Sequence, residues 1–415
     1  MIELYKLTGE RRYLDFAEYI IRLGGCSGGN LIELALEDRL APFEYPEVKA
    51  YETISFFEGV LAYYELTGEE KYLRAVTQFI EKVNATDITI IGCSGCTHEL
   101  FDNSGVKQTE YSETIMQETC VTVTWMRVLA RLLMLTGEVK YLDRIERSAF
   151  NALYGSANLH SLKSYSFERK LYVDPIPFDS YSPLYNNRRG RGVGGYKEFK
   201  SGGYYGCCAC IAAAGVAILP LVATLKSEKG VLIGSPLASS FSVKAPSGEE
   251  LRFSASGSYP AGGSYRLTLE SDTKCELEIA IRVPSFAKAA TWSLCGGEAK
   301  KAESNLIIVN RCWQKGDYIE LYMPMELKEV RLNGKTAYTY GELVLARDSS
   351  LESGDISAPF TPKMPLCYDL DAKDGALLRL TLKAEEGDIP LVSYADAGKR
   401  WDRERANISV WLNAK

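Results

Sequence analysis

The sequence predicts a protein that is helical first and β second, with stacked helical hairpins in residues 1–228 and an antiparallel β-sandwich in residues 229–415. A phrase that begins Leu-Thr-Gly-Glu recurs in the first half, within apolar patterns of helical period. In the second half, short alternating runs are separated by Gly, Pro, Ser and Asn, as is typical of strands and turns. A chain of 415 residues is long enough for two or three domains with large cores.

Each repeat of the phrase predicts a junction between two helices. Gly9, Gly68 and Gly137 suit the left-handed C-cap of one helix, and the Glu that follows suits the positive N-terminus of the next. The apolar residues that recur at helical spacing around Gly68 are Phe56, Phe57, Val60, Leu61, Tyr64, Tyr72, Leu73, Val76, Phe79 and Ile80. Stacked hairpins build either a solenoid or a closed α/α toroid, and the repeats fit both.

The second half has the spacing of an antiparallel sandwich. The runs that alternate between apolar and polar residues are 251–254, 265–270, 276–283, 306–309, 318–322, 343–346 and 377–382. Because turn-forming residues separate these short runs, they predict strands of a β-sandwich, with the boundary between the two regions near residues 225–235.

Composition and charge exclude several classes of function. The net charge is −6 and no stripe of Lys and Arg occurs, so we expect neither a nucleic-acid nor a membrane partner. Apolar runs such as residues 216–222 are much shorter than a bilayer span. The sequence has only two histidines, His98 and His160, which excludes a His-rich metal site and makes a polysaccharide lyase a poor alternative.

Eleven cysteines, an odd number, occur in a chain too long to need disulfide staples. This favours a reducing compartment, so we expect a cytoplasmic location.

The cysteines also suggest a metal site. Glu118 and Cys120 lie in one turn at the start of an apolar helix, and Cys207 and Cys208 open another. One carboxylate and three thiolates suit a tetrahedral Zn²⁺. Two alternatives stay open. In one, Cys93 and Cys96 join Cys207 and Cys208 in a four-cysteine site; in the other, Cys210 competes as a ligand.

These residues carry a resemblance to a known family. The elements Glu99-Leu100-Phe101, Glu118-Thr119-Cys120 and Cys207-Cys208 resemble those of the β-L-arabinofuranosidases of glycoside hydrolase family 127. The likeness continues through residues 282–287, 313–317, 340–341 and 408–411, nearly to the end of the chain. The sequence departs from the family where Ala-Cys-Ile follows the cysteine pair and where extra residues separate Glu99 from Glu118.

The resemblance implies an (α/α)6 barrel followed by β-sandwiches, and a small carbohydrate as the substrate. It implies retaining hydrolysis of β-L-arabinofuranosides or similar sugars, with Cys207 as the nucleophile and Glu99 as the general acid/base. It also implies Zn²⁺ as the cofactor, with Glu118, Cys120, Cys207 and Cys208 as its ligands.

His98, next to Glu99, is a candidate substrate contact, and so is Tyr172. A structural histidine and a core tyrosine are the competing interpretations.

The sequence predicts fewer helices than the six hairpins of such a barrel. We therefore expect a family member that lacks the N-terminal part of the barrel, with a homo-oligomer or a partner chain completing it. The alternative function is that of a truncated, non-catalytic sugar-binding or structural relative.

Overall fold

The structure, a computed structural model, describes most of the chain. The described residues are 1–110, 117–158, 178–189, 206–245, 247–272, 274–352, 354–371, 375–399 and 406–415, with the backbone of short strands at 164–166, 171–173, 197–198 and 204–205.

Helices occupy most of the described chain before residue 224. They are α1 (Ile2–Thr8), α2 (Arg11–Leu23), α3 (Leu31–Glu37), a 3-10 turn (Pro42–Glu44), α4 (Ala50–Thr67), α5 (Glu70–Thr86), α6 (Ser104–Lys107), α7 (Thr119–Thr136), α8 (Lys140–Arg147) with a π-helical continuation (Ser148–Leu153), α9 (Tyr154–Ser156), α10 (Cys207–Val216) and α11 (Ile218–Ala223).

The repeated phrase forms helix junctions, as predicted. Gly9, Gly68 and Gly137 end α1, α4 and α7 in the left-handed conformation, with φ of 71°, 70° and 70°. In each case the next helix begins within three residues, at Arg11, Glu70 and Lys140. The hairpins α1–α2, α4–α5 and α7–α8 are therefore set by glycines that tolerate positive φ.

Apolar contacts between the helices form the helical core. Phe57 of α4 and Phe79 of α5 stack with ring centroids 3.9 Å apart, and Phe101 packs edge-on against Phe79. Helix α7 is apolar apart from Arg127, Arg131 and its threonines and, among the described residues, is alone in having the length and composition to cross a membrane. Most of it is buried inside the protein, as expected of a core helix.

Short strands accompany the helices, and longer strands form the second half. The short strands are β1 (Gly25–Cys26), β2 (Gly29–Asn30), β3 (Ser164–Ser166), β4 (Leu171–Val173), β5 (Asn187–Arg188), β6 (Lys197–Glu198) and β7 (Tyr204–Tyr205). The others are β8 (Thr224–Lys226), β9 (Gly230–Ile233), β10 (Ser239–Lys244), β11 (Glu250–Gly257), β12 (Ser264–Leu269), β13 (Cys275–Arg282), β14 (Thr291–Leu294), β15 (Lys300–Lys301), β16 (Leu306–Trp313), β17 (Tyr318–Tyr322), β18 (Leu327–Leu332), β19 (Lys335–Tyr340), β20 (Leu343–Asp348), β21 (Tyr368–Leu370), β22 (Arg379–Lys383), β23 (Asp388–Ser393) and β24 (Asn407–Ser409).

The strands of the second half form three larger sheets, with orders β10-β11-β12-β17-β14-β15, β16-β13-β9-β8 and β18-β19-β20-β23-β22-β21. Strands such as β11 and β12 bury every second side chain, so each contributes one face to the core. The predicted order of helices before antiparallel sheets is confirmed, although β9 and β13 pair in parallel. Helix α11 ends at Ala223 and β8 begins at Thr224, while the domain boundary at residue 228 stays a prediction.

Strand pairing and buried polar contacts join the helical region to the sheets. Strand β5 pairs with β24 near the C-terminus. The buried Asn151 amide donates to the Glu342 carbonyl at 2.9 Å and accepts from the Val344 N–H at 2.8 Å. These contacts span nearly two hundred residues of sequence, so no local pattern predicts them.

Candidate active site

The N-termini of α7 and α10 lie side by side and present the predicted ligand residues to one point. Glu118 is the N-cap of α7, Cys120 is in its first turn, and Cys207 and Cys208 begin α10. The start of α7 is hydrogen-bonded to a distant segment of the chain: the Thr119 N–H donates to the Ser180 carbonyl at 2.8 Å. The two helix ends thus bring together residues about ninety positions apart in sequence.

The four side chains form a compact group, which we call the Glu-Cys cluster (Glu118, Cys120, Cys207 and Cys208). Their ligand atoms all lie within 4.8 Å of one another. The Sγ atoms of Cys120 and Cys208 are 3.2 Å apart, and Cys208 Sγ lies 3.7 Å from Glu118 Oε1. In the part of the chain that the structure describes, this is the only group of at least three His, Cys, Asp or Glu side chains close enough to hold a metal ion.

The donor set fits a metal ion because Glu118 is buried without full compensation. Its side chain is 5% exposed, and Oε2 has no hydrogen-bond partner among the described residues. Burial, followed by the charges of Glu99 and Cys207, raises the pKa of Glu118 to about 8. A buried carboxylate beside three thiols is a set of donors that a soft-to-borderline cation such as Zn²⁺ would satisfy.

Cys207 differs from the other two thiols of the cluster in access and charge. Cys120 and Cys208 are buried, whereas Cys207 is half-buried. Hydrogen bonds from Cys120 and Cys208 lower the pKa of Cys207, and its place at the N-terminus of α10 acts in the same direction. Cys207 is therefore the thiol best suited to meet a substrate as a thiolate.

Glu99 lies beside the cluster and is held by two side chains. The Tyr181 hydroxyl donates to Glu99 Oε1 at 2.7 Å, and the Lys49 ammonium forms a short ion pair with Oε2. Lys49 also donates to the His98 carbonyl at 3.3 Å. Burial and the Glu99 hydrogen bond raise the pKa of Tyr181, so its hydroxyl stays a donor. The carboxylate of Glu99 is thus fixed in orientation.

Lys49 and Tyr181 are residues that the sequence analysis missed. Tyr181 pairs with Glu118 through a β-bridge, which places its hydroxyl between the cluster and Glu99. Lys49 is the N-cap residue of α4, at the same end of the helical region as the starts of α7 and α10. Neither residue lies in a recognisable motif, and their contacts to Glu99 span 50 and 82 positions.

The two candidate substrate contacts, His98 and Tyr172, lie on different elements. His98 is exposed beside Glu99, with φ of 50°, and its role as a substrate contact stays a prediction. Tyr172 is on β4, and its side chain lies outside the described residues, as does all of His160.

The other cysteines lie outside the cluster. The buried Cys93 thiol donates to the Glu118 carbonyl at 3.2 Å, and Cys96 Sγ accepts from the Gln117 amide at 2.9 Å. Cys210 is exposed. The four-cysteine alternative is therefore wrong, since Cys93 and Cys96 support the backbone that carries Glu118.

Two protein-family models match this chain. Residues 1–210 match the catalytic domain of GH127, described as β-L-arabinofuranosidase, and residues 237–325 match the GH127 middle domain. The chain belongs to glycoside hydrolase family 127. Its domains are those of a GH127 glycoside hydrolase, a family whose substrates are carbohydrates, and the match decides against a polysaccharide lyase.

Solved GH127 structures share the fold over the whole chain. A GH127 β-arabinofuranosidase matches with a TM-score of 0.77 and 19% identity, over 100% of this chain and 67% of its own. A GH127 β-L-arabinofuranosidase from Geobacillus stearothermophilus T6 matches with a TM-score of 0.73 and 19% identity, over 100% of this chain and 71% of its own. A third structure, a glycoside hydrolase, matches with a TM-score of 0.73 and 19% identity, over 100% and 74%. No curated protein matches the chain.

The GH127 catalytic match contains every residue of the candidate site. Its end at residue 210 falls just after Cys207 and Cys208, so both halves of the Glu-Cys cluster lie within it. The middle-domain match contains β10 to β17.

Proposed function

We propose that this chain is a zinc-dependent retaining glycosidase that acts on β-L-arabinofuranosides or similar sugars through Cys207. The observation that carries the proposal is the Glu-Cys cluster, in which four donors lie within 4.8 Å and Glu118 Oε2 is buried without a partner. Glu118, Cys120, Cys207 and Cys208 would hold the ion. Bound Zn²⁺ would keep the thiols deprotonated and would offset part of the negative charge of the four ligands.

In the proposed reaction, Cys207 is the nucleophile and Glu99 the general acid/base, the roles that the family resemblance implies. The Cys207 sulfur attacks the anomeric carbon while the glycosidic C–O bond breaks, and Glu99 donates its proton to the departing oxygen. A water then attacks the anomeric carbon, Glu99 accepts the water proton, and the sulfur leaves. Two inversions give net retention, with cysteine replacing the usual carboxylate nucleophile.

Lys49 and Tyr181 fix the direction of the Glu99 carboxylate, and Glu99 acts as the acid once a proton replaces one of these two contacts. Tyr181 donates to one oxygen and Lys49 to the other. General acid–base catalysis requires the carboxyl to reach the leaving oxygen at hydrogen-bond distance, so a fixed orientation favours proton transfer.

Metal analysis tests the proposal directly. We expect about one zinc per chain in protein purified without added metal, and hydrolysis of nitrophenyl β-L-arabinofuranoside. Cys120→Ser should lose most of the metal and the activity, whereas Cys210→Ser, which alters an exposed thiol near the cluster, should keep both. Zinc retained in full by Cys120→Ser would contradict this ligand set.

The predicted association with a second chain is supported by apolar side chains on α1 and α2. Leu7 is 83% exposed, and Phe16 and Leu23 are each about half exposed. Exposed apolar patches of this kind favour association. Sedimentation of the purified chain tests this proposal, and a stable monomer at micromolar concentration would contradict it.

We also propose a cytoplasmic location. All eleven cysteines have free thiols, as expected in a reducing compartment.

A further inference from the structure

The middle region carries a groove that belongs to no part of the candidate active site. The groove lies on the sheet that contains β11, β12, β14 and β17, and its volume is about 450 Å³. This is within the usual range for small-molecule sites. All its lining residues lie within the residues that match the GH127 middle domain, far along the chain from Cys120 and Cys208.

Strand register arranges the groove as two rows of polar side chains. In the first row, Ser256 pairs with Arg266, and Glu320 pairs with both Arg266 and Ser293. In the second row, Tyr322 pairs with Ser264 on one side and with Thr291 on the other. Side chains two residues apart on a strand share a face, so Glu320 and Tyr322 point from β17 into the same space.

The charged groups of the groove contact each other and the side chains beside them. The Arg266 guanidinium lies 3.6 Å from the Tyr318 ring centroid, and its Nη1 is 3.6 Å from Glu320 Oε1. The Ser293 hydroxyl donates to Glu320 Oε2 at 3.3 Å. A fixed Arg–Glu pair offers both donors and acceptors, and its two charges cancel. The groove is therefore suited to a neutral polar ligand rather than to an anion or a cation.

Tyr322 supplies an aromatic surface next to this pair. Tyr322 is 57% exposed and lies between Ser264 and Thr291 in the second row. An aromatic ring beside fixed hydrogen-bonding groups matches a sugar, which has an apolar C–H face and a rim of hydroxyls. We propose that this groove is a non-catalytic binding site for a neutral oligosaccharide, separate from the Glu-Cys cluster.

Affinity gel electrophoresis of the full chain with soluble arabinogalactan, a neutral polysaccharide, tests the proposal. We expect the wild-type chain to be retarded, and Tyr322→Ala and Arg266→Ala to weaken binding by about tenfold. Tyr19→Ala, which removes a tyrosine from α2 that is 48% exposed, is the matched control and should bind as the wild type does. Tyr322→Phe keeps the ring and should retain most of the binding.

Two further measurements separate this site from the active site. Cys207→Ser should still bind the polysaccharide, and Tyr322→Ala should hydrolyse a small nitrophenyl glycoside at the wild-type rate. Binding that is unchanged in both Tyr322→Ala and Arg266→Ala would overturn the proposal. So would a wild-type chain that the polysaccharide does not retard, whatever the outcome for hydrolysis.

Discussion

Two groups of acidic side chains in this protein differ in how the fold compensates their negative charge. The Glu146 cluster (Asp143, Glu146 and Arg282) joins α8 to β13, where Arg282 is 1% exposed and pairs with both carboxylates at 2.6 and 3.0 Å. Both oxygens of Glu146 are satisfied, because Ser235 donates to one and Tyr259 to the other, each at 2.6 Å. In the Glu-Cys cluster, Glu118 Oε2 has no such partner.

This difference in compensation distinguishes a structural buried acid from a candidate ligand. Burying a carboxylate is costly unless a cation or hydrogen bonds compensate it. The fold supplies that compensation for Glu146 and leaves it out for Glu118, although both side chains are buried. A missing compensation at a point where three thiols converge indicates a ligand position rather than a packing defect.

The largest expected effect concerns the thiol at that point. Cys207→Ser should lower kcat on nitrophenyl β-L-arabinofuranoside by at least about 10³-fold, since a hydroxyl is a much poorer nucleophile than a thiolate. Zinc content measured on the same sample shows whether activity is lost with the nucleophile alone or together with the metal. Cys210→Ser is the control and should retain activity, and comparable rates in the two variants would remove Cys207 from the nucleophile role.

The next prediction tests whether Glu99 is the general acid. Glu99→Gln should reduce hydrolysis by about 10²- to 10⁴-fold for substrates with poor leaving groups and far less for good ones, because acid assistance matters least when the aglycone leaves readily. Rates on a series of aryl glycosides give the comparison, with the exposed Glu110→Gln as the control. An equal loss across the series would contradict the acid role.

The hairpins and the two acidic groups differ in how far the sequence predicts them. The hairpins follow from local signals, because Gly68 and Gly137 mark helix ends whatever the rest of the chain does. The ligand residues could be proposed from residue type and family resemblance. The partners of Glu99 and Glu146 could not, because Tyr181 and Arg282 reach them across 82 and 136 positions through tertiary packing.

A smaller effect is expected when the compensated cluster is broken. Arg282→Met leaves Asp143 and Glu146 without their cation, so the free energy of unfolding should fall by about 3–5 kcal/mol. Urea denaturation measures this. Arg331→Met, an exposed arginine, should change it by less than about 0.5 kcal/mol. Zinc content should be unchanged in both, and a loss of zinc from Arg282→Met would contradict the independence of the two clusters.

The smallest effect concerns a buried lysine whose positive charge is only partly compensated, by carbonyl groups. Lys399 donates to the Tyr154 and Ala157 carbonyls at 3.0 and 3.2 Å, and burial, followed by the charge of Arg189, lowers its pKa from 10.5 to about 7. Below pH 7 the folded and unfolded chains both carry this proton, whereas between pH 7 and 10.5 only the unfolded chain does. The unfolding free energy should therefore rise with pH in that window, by at most about 1.4 kcal/mol per pH unit from this group. Lys399→Met should flatten the rise seen in urea titrations from pH 7 to 9.5, and the exposed Lys328→Met should leave it intact. Equal slopes in the two variants would show that the carbonyls and the surrounding charges hold Lys399 protonated.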